Sequence, residues 1–550
     1  MVIINKGDEL NIEDYFEYNK RIIKNKKYAE EGKLEKITFF EKLEELEDKY
    51  KGKIAVRDSK RVISYTELRD NALKYANYFE SKGIIYGNKI IMQISNSVLF
   101  AEVCFALWAI GAIPIFTIPA LRFAELKGIA EVAEPVAYFS DDEYLGNDNY
   151  ELGKKLKDNF GSIKHLFFSS ELEAKKEKLE MVNKNHINNA KYYDIATLLL
   201  SSGTTGVPKL IPRSHADYLY NSRCVAEKVG LDSSSRFLLV LPVQHTFGFA
   251  APGFLGTLQK GGTVIMCNIP SPDEVLPLIE SENINVTAMV PSFAKILVEF
   301  LQYDDYDISS LEKILIGGAY LSPDLGRQVK NDFGIKLFQV YGFSEGLITT
   351  TDINDSIEVS SNSVGKPASP YDIVKIVDNE NNEVPDGEIG ELIVKGIYTI
   401  TSYYKNNSAN EKAFLNNEFY RSGDKALIDS DGNIKIVGRV REMINRAGEK
   451  VIPSEIEDNL CKIPNVTFAA VVAAPSETLG QMAFGFVVTR DGEEICKEEV
   501  HSFFDQLGVC AFKRPDKIKC IDKIPLTKIG KVNKLCLEKM AEEILKEEIV

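Results

Sequence analysis

Short apolar runs recur between residues 89 and 343, with helix-like stretches between them: KIIMQISNS, ATLLLSS, RFLLVLPV, TVIMCN, VTAMVP, KILIGG and LFQVYG. A short run of Val, Ile and Leu without polar alternation reads as a strand buried on both faces. Such strands, alternating with helices, predict parallel sheets covered by helices. From about 370 the pattern changes. YDIVKIVDNENNEVPDGEIGELIVKG has period-two strands joined by turn residues, which predicts a small antiparallel barrel or sheet. Beyond GRVREMINRAGEKV lies a mixed segment that ends in a charged helix. The chain's 550 residues exceed what one compact core holds. The expected architecture is α/β. A large N-terminal domain, 1–438, would carry two parallel-type sheets plus the small barrel. A boundary at 439–441 would lead to a small α+β C-terminal domain, 442–550.

Charge and cysteine usage narrow the partners. A formal net charge of -15 repels nucleic acid and anionic membrane. An anionic substrate would need a local basic pocket. The opening MVIINKGDELNIEDYFEYNK lacks the apolar core of a secretory signal. The apolar stretch near Phe100–Phe116 contains Glu102 and is too short to span a bilayer. A soluble, cytoplasmic protein is expected. Eight scattered cysteines form no CxxC pair and no zinc-like cluster, so reduced thiols are expected.

The first segment that suggests chemistry is Ser201-Ser202-Gly203-Thr204-Thr205-Gly206-Val207-Pro208-Lys209, directly after Leu198-Leu199-Leu200. Glycines let backbone N–H groups turn toward an anion. The hydroxyls add donors and Lys209 adds positive charge, which together make a cradle for polyphosphate. The common phosphate loop, GxxxxGK[ST], does not fit. Gly203 and Gly206 are too close, and Pro208 separates Gly206 from Lys209.

SSGTTGVPKLIPRSHADYLYN resembles the adenylate-forming superfamily of acyl-CoA synthetases, luciferases and nonribosomal peptide adenylation domains. Further motifs follow in that family's order: Gly317-Gly318-Ala319, then Gln339-Val340-Tyr341-Gly342-Phe343-Ser344-Glu345-Gly346. Tyr420-Arg421-Ser422-Gly423-Asp424, Gly438-Arg439 and Pro525-Leu526-Thr527-Lys528-Ile529-Gly530-Lys531 complete the set. Arg213-Ser214-His215-Ala216-Asp217-Tyr218 and Ile444-Asn445-Arg446-Ala447-Gly448-Glu449-Lys450-Val451 resemble the stand-alone aryl acid adenylases, typified by the 2,3-dihydroxybenzoate-AMP ligases of siderophore pathways.

The resemblance implies ATP and Mg²⁺, and it implies roles. Ser201, Ser202, Gly203, Thr204, Thr205, Gly206 and Lys209 would hold the β- and γ-phosphates. Glu345 would hold Mg²⁺. Asp424 would accept hydrogen bonds from the ribose hydroxyls, with Arg439 as an added donor. Gly317, Gly318 and Ala319 would wall the adenine site, with Tyr341 stacking on the base beside Gly342. Lys531 would bridge the substrate carboxylate and the α-phosphate in the transition state. Arg441 marks the family's hinge, about which a mobile C-terminal domain would swing Lys531 out and Gly448–Val451 in. His245 would serve as an aromatic gate or pocket wall, although a structural histidine is an equal reading; His215 reads as structural.

The aryl pocket, by position, would be lined by His245, Thr246, Phe247, Ala251, Gly317, Val340 and Ile348. Dihydroxybenzoate enzymes typically carry Asn where Thr246 stands and Ser where Ala251 stands. A pocket poorer in hydroxyl partners favours a less oxygenated acid, such as benzoate or a monohydroxybenzoate. No carrier motif is read after Lys531, so the acyl acceptor is expected to come from elsewhere. It would be a phosphopantetheinylated carrier protein of siderophore or nonribosomal peptide biosynthesis, or CoA in the case of an acyl-CoA ligase. A catalytically silent nucleotide-binding protein should have lost Lys531, Glu345 or Asp424; all three are present.

Overall fold

The computed structural model describes residues 12–181, 190–201, 209–303, 305–319, 321–332, 334–416, 418–440, 444–446, 449–476, 479–507, 509, 514–527 and 530–547. The chain divides into two compact units. One comprises Met1–Val374 with Val394–Tyr420, the other Lys375–Ile393 with Arg421–Val550.

The first unit contains both parallel sheets expected from the apolar runs. The nine-stranded sheet has a parallel centre, in the order Lys336–Phe343, Lys313–Gly317, Val286–Met289, Arg236–Leu239, Thr263–Met266, Ile54–Arg57. The six-stranded sheet sets Ile195–Leu200, Ile113–Phe116, Lys89–Gln93, Ala137–Ser140 and His165–Phe168 in parallel, with Leu210–Ser214 antiparallel at one edge. The stretch VISYTELRD becomes a strand ending at Ser64 and a helix, Tyr65–Ser81. The switch has a local cause. Ser64 accepts from Glu67 N while the Glu67 carboxylate accepts from Ser64 N, a capping box that satisfies two donors at the helix start.

The helix Val98–Ala109 is buried on every side. Trp108 meets Phe39 edge-on at 4.6 Å between centroids, and Phe249 packs on Phe116 at 5.1 Å. Each fully buried ring of this kind contributes roughly 2–3 kcal/mol in area alone. Glu102, in the middle of that helix, is fully buried and paired with Arg61, Asn71 and Lys176. Among the described residues no helix is long and apolar enough to cross a membrane, and the seven described cysteines form no disulfide with one another.

Residues 373–439 form the five-stranded sheet expected from the period-two pattern. Phe414–Leu415 and Ile434–Arg439 each pair antiparallel with Phe419–Ile428. In the second unit, Val466–Ser476 and Gly480–Thr489 form a long hairpin, with Lys517–Cys520 parallel beside it. Side chains on Val466–Ser476 alternate between two cores, as strand geometry requires. Ala469 and Val471 pack with Ile456, Leu460 and Phe504, whereas Ala470 and Val472 pack with Phe486, Leu537 and Ala541. The last two residues lie on the terminal helix Lys534–Glu547.

Candidate active site

The strand Arg236–Leu239 has Thr263–Met266 on one side and Val286–Met289 on the other. The crossover from it to Thr263–Met266 and the next, back across it to Val286–Met289, therefore run in opposite directions, and open parallel sheets bind ligands beyond the carboxyl ends of the strands at such a point. The segments leaving those ends carry three separate sequence motifs. Residues 240–247 bring His245, Thr246 and Phe247; Gly317–Ala319 closes its own strand; Tyr341 to Glu345 closes the next.

Small residues are enforced here by backbone proximity. Gly317 stands opposite Val340, and a Cβ on it would lie 2.2 Å from the Val340 carbonyl oxygen. Gly342 stands opposite Ile348, and its Cβ would lie 2.3 Å from the Leu347 carbonyl oxygen. Gly318 has φ +82, and Ala319 is exposed beside it. The half-buried Tyr341 ring sits edge-on to Phe343 at 6.1 Å. Val340 and Ile348 are buried.

The glycine-rich loop leaves Ile195–Leu200 and returns on Leu210–Ser214, whose first residue pairs with Leu200. Its ends are clasped: Ser201 N donates to Lys209 O at 3.0 Å, and Lys209 N donates to Ser201 Oγ at 3.0 Å. Ser202, Gly203, Thr204, Thr205 and Gly206 lie outside the described residues. The Lys209 ammonium stands 4.7 Å from the centroid of Tyr403. Tyr403 Oη donates to Glu345 Oε1 at 2.8 Å and meets Tyr420 Oη at 3.1 Å. The buried Glu345 carboxylate is thereby tied to the exit of the loop. Its backbone is fixed as well, because Ile400 N donates to Glu345 O at 2.7 Å and Thr399 Oγ1 donates to Gly346 O at 3.1 Å. The Thr399 carbonyl in turn accepts from Lys24, a half-buried residue of the helix Ile12–Glu30.

A second network holds Thr246. Its hydroxyl accepts from Tyr218 Oη at 3.2 Å and pairs with Ser344 Oγ at 2.7 Å. The fully buried Arg213 donates to Ser344 O at 2.9 Å and to Asp217 Oδ1 at 3.0 Å, with its guanidinium over the Tyr218 ring. Ser214 and Asp217 form the capping box of the helix His215–Lys228. The Arg213–Tyr218 motif is therefore a strut under the Thr246–Ser344 contact. His215 accepts from Phe39 N at Nδ1, 3.1 Å. Burial, then the positive charge of Arg21, pushes its imidazole down to about 3, which keeps it neutral. His245 is half-buried at the start of the short helix Thr246–Ala250, followed by the buried Ala251.

The second unit gathers Asp424, Arg439 and Lys531. Asp424 and Arg439 are partners across two antiparallel strands, with Arg439 Nε 2.6 Å from Asp424 Oδ1. Asp424 N donates to Ser422 Oγ at 3.0 Å. Lys531 sits in a hairpin closed by the bridge between Leu526 and Val532. Gly530 turns that hairpin at φ +78, a conformation glycine adopts without strain. Thr527 fixes it by donating N–H to Lys531 O at 2.6 Å and accepting Lys531 N at Oγ1, 3.1 Å. The Lys531 ammonium is held below the usual lysine value by partial desolvation first and the charge of Arg439 second, against Asp424, which raises it. Because the residue is exposed by area, much hydration survives, and the like charge of Arg439 is the more specific influence. Arg441 and Gly448 lie outside the described residues; Ile444–Arg446 and Glu449–Val451 pair as a hairpin.

Reading of the motifs missed Tyr403 and Lys24, and it gave no role to Ser344, which lies inside one of them. Tyr403 lies in Ser402-Tyr403-Tyr404-Lys405, which obeys no spacing rule, and Lys24 is one of several lysines on a charged helix. Among the described residues no three His, Cys, Asp or Glu side chains converge as a metal cage. Glu345, a buried hard-oxygen donor beside the loop exit, suits a cation that takes its other ligands from phosphate and water.

Two family models match the chain: AMP-binding enzyme over residues 43–404, and AMP-binding enzyme C-terminal domain over residues 455–531. The chain is 37% identical over 511 residues to the 2,3-dihydroxybenzoate-AMP ligase of Bacillus subtilis, covering 92% of this chain and 94% of that one. It is 34% identical over 476 residues to a salicyl-AMP ligase / salicyl-S-ArCP synthetase of Mycobacterium tuberculosis, covering 86% and 84%. The apo structure of MbtA from Mycobacterium smegmatis matches with a TM-score of 0.71 at 33% identity, covering 94% and 97%. The chain belongs to the AMP-binding enzyme family, whose members use ATP. Within that family it stands with the aryl acid–AMP ligases.

Proposed function

We propose that the chain activates an aryl carboxylic acid with ATP and passes the acyl group to the phosphopantetheine thiol of a separate carrier protein. In the first step a carboxylate oxygen bonds the α-phosphorus and the bond to pyrophosphate breaks. In the second a thiolate attacks the acyl carbonyl and AMP leaves. The observation that carries this reading is Lys531 at a glycine-turned hairpin of the same unit that pairs Asp424 with Arg439. Both reactants are anions, so a positioned ammonium at their junction stabilises the crowded transition state. Asp424 holds the ribose, Arg439 adds a donor, and Gly318, Ala319, Tyr341 and Gly342 hold the base. Residues 201–206 with Lys209 take the β- and γ-phosphates. Glu345 would hold Mg²⁺, which supplies charge neutralisation on the phosphates when bound. After adenylation the C-terminal domain turns about 439–441, with Arg441 as hinge. The reaction takes place in the cytoplasm.

His245, Phe247, Ala251, Gly317, Val340 and Ile348 line the acid pocket with Thr246. The Thr246 hydroxyl is already engaged by Tyr218 and Ser344, and Ala251 adds no polar atom. These features favour benzoate or a monohydroxybenzoate over the 2,3-dihydroxy acid. The name salicyl-S-ArCP synthetase of one relative supports a carrier thiol as acceptor. Acid-dependent exchange of radiolabelled pyrophosphate into ATP, run across a panel of benzoates, tests the first step. Strongest exchange with the 2,3-dihydroxy acid rejects the pocket reading, and flat exchange with every acid rejects the activity. Adding holo carrier protein or CoA tests the second step. An acyl-CoA product with no acylated carrier rejects the assigned acceptor.

A further inference from the structure

The segment Tyr403-Tyr404 touches both halves of the phosphate site. Tyr404 N donates to Leu210 O at 2.9 Å, directly after Lys209. The Tyr403 ring faces the Lys209 ammonium at 4.7 Å, and its hydroxyl reaches Glu345 at 2.8 Å. Tyr403 is 2% exposed. Its own backbone is clamped by Asn410, whose Oδ1 accepts Tyr403 N at 2.7 Å and whose Nδ2 donates to Tyr403 O at 3.4 Å. A buried carboxylate that must accept both a protein donor and a cation needs one oxygen fixed so that the other is aimed.

We propose that Tyr403 is a positioning residue that serves two groups at once: its hydroxyl aims Glu345 at the metal, and its ring holds Lys209 at the polyphosphate. This rests on Glu345 as the metal ligand. Both functions converge on one side chain because Tyr403 stands between the Lys209 ammonium and the Glu345 carboxylate. A ring offers a cation its π-face while its hydroxyl remains available at the edge.

The test is binding of Mn²⁺ to the full-length enzyme with ATP present, read by electron paramagnetic resonance, and ATP binding without metal, read by calorimetry. Tyr403→Phe keeps the ring and removes the hydroxyl. It should weaken Mn²⁺ binding about tenfold, leave metal-free ATP binding within about twofold, and raise the Mg²⁺ concentration needed for half-maximal exchange. Tyr403→Leu removes both and should also weaken metal-free ATP binding. Asn410→Ala, which frees the Tyr403 backbone, should weaken Mn²⁺ in the same direction and serves if the tyrosine variants do not fold. Wild-type Mn²⁺ affinity in Tyr403→Phe, or in Asn410→Ala when it alone folds, overturns the proposal. Glu345→Gln separates the two levels of inference. If it binds Mn²⁺ like the wild type, the metal assignment of Glu345 itself fails. If it loses Mn²⁺ while Tyr403→Phe does not, only the positioning role fails.

Discussion

Replacing Gly346 by alanine should damage the site through one carboxylate. Gly346 has φ +133, a region closed to residues with a side chain, and costs of order 1–3 kcal/mol attach to forcing one there. A Cβ at this position would meet three backbone atoms: Thr399 Cα at 2.3 Å, Tyr398 O at 2.7 Å and Thr399 N at 2.8 Å. Restoring the 3.4 Å of ordinary contact to Thr399 Cα means opening the pair by about 1.1 Å. Residues 398–400 cannot yield cheaply. Tyr398 is hydrogen-bonded to Asp372 and Ile348, Thr399 to Lys24 and Gly346, and Ile400 to Glu345. The displacement therefore falls on the Glu345 turn. A misplacement of about 1 Å in a positioning group costs on the order of a hundredfold in rate. Gly346→Ala should lower kcat/KM for acid-dependent pyrophosphate exchange about a hundredfold, with a raised Mg²⁺ requirement and a lowered melting temperature. A variant within threefold of wild type, with the same Mg²⁺ dependence, would refute the steric reasoning.

Lys531→Ala should reduce acid-dependent exchange a hundredfold or more while ATP binding, followed by calorimetry, changes little. Because desolvation first and the charge of Arg439 second hold the Lys531 ammonium down, the alkaline limb of the exchange profile should fall below the ordinary lysine value, since the charged form is the active one. Arg439→Gln should move that limb to higher pH; an unmoved limb excludes Arg439 as an influence on the group titrating there. His215 takes its proton near 6.5 when unfolded and at about 3 when folded. Its contribution to stability is complete above 6.5 and is lost as pH falls toward 3, by up to about 1.4 kcal/mol per pH unit. His215→Asn should flatten that part of the acid unfolding curve measured by circular dichroism, and an unchanged slope would show that His215 does not set it.

Much of the fold was legible because it is written in local patterns. The runs from KIIMQ to LFQVYG became buried parallel strands, each recognisable from its own few residues. Gly317 and Gly342 were singled out by resemblance; the close backbone approaches there explain why they must be small. The long-range supports were not legible. The Tyr403–Glu345 bond joins positions 58 apart, and the Lys24–Thr399 bond joins positions 375 apart. No periodicity encodes such a pair, and a tyrosine that orients a carboxylate has the same local signature as one that fills a core. Helix Ile12–Glu30 shows the same limit. Its sequence is charged and lysine-rich, yet Arg21 and Asn25 are buried.

That helix bears on any attempt to exchange parts between related ligases. The recognisable family segment begins at residue 43, and a natural crossover for a chimera would lie just before it. Such a graft would keep Thr399 and discard the amine that its carbonyl accepts. A transplanted body should then work only on a leader that supplies a cation at the same turn, so compatibility between leader and body, rather than identity around the motifs, would decide which hybrids are active.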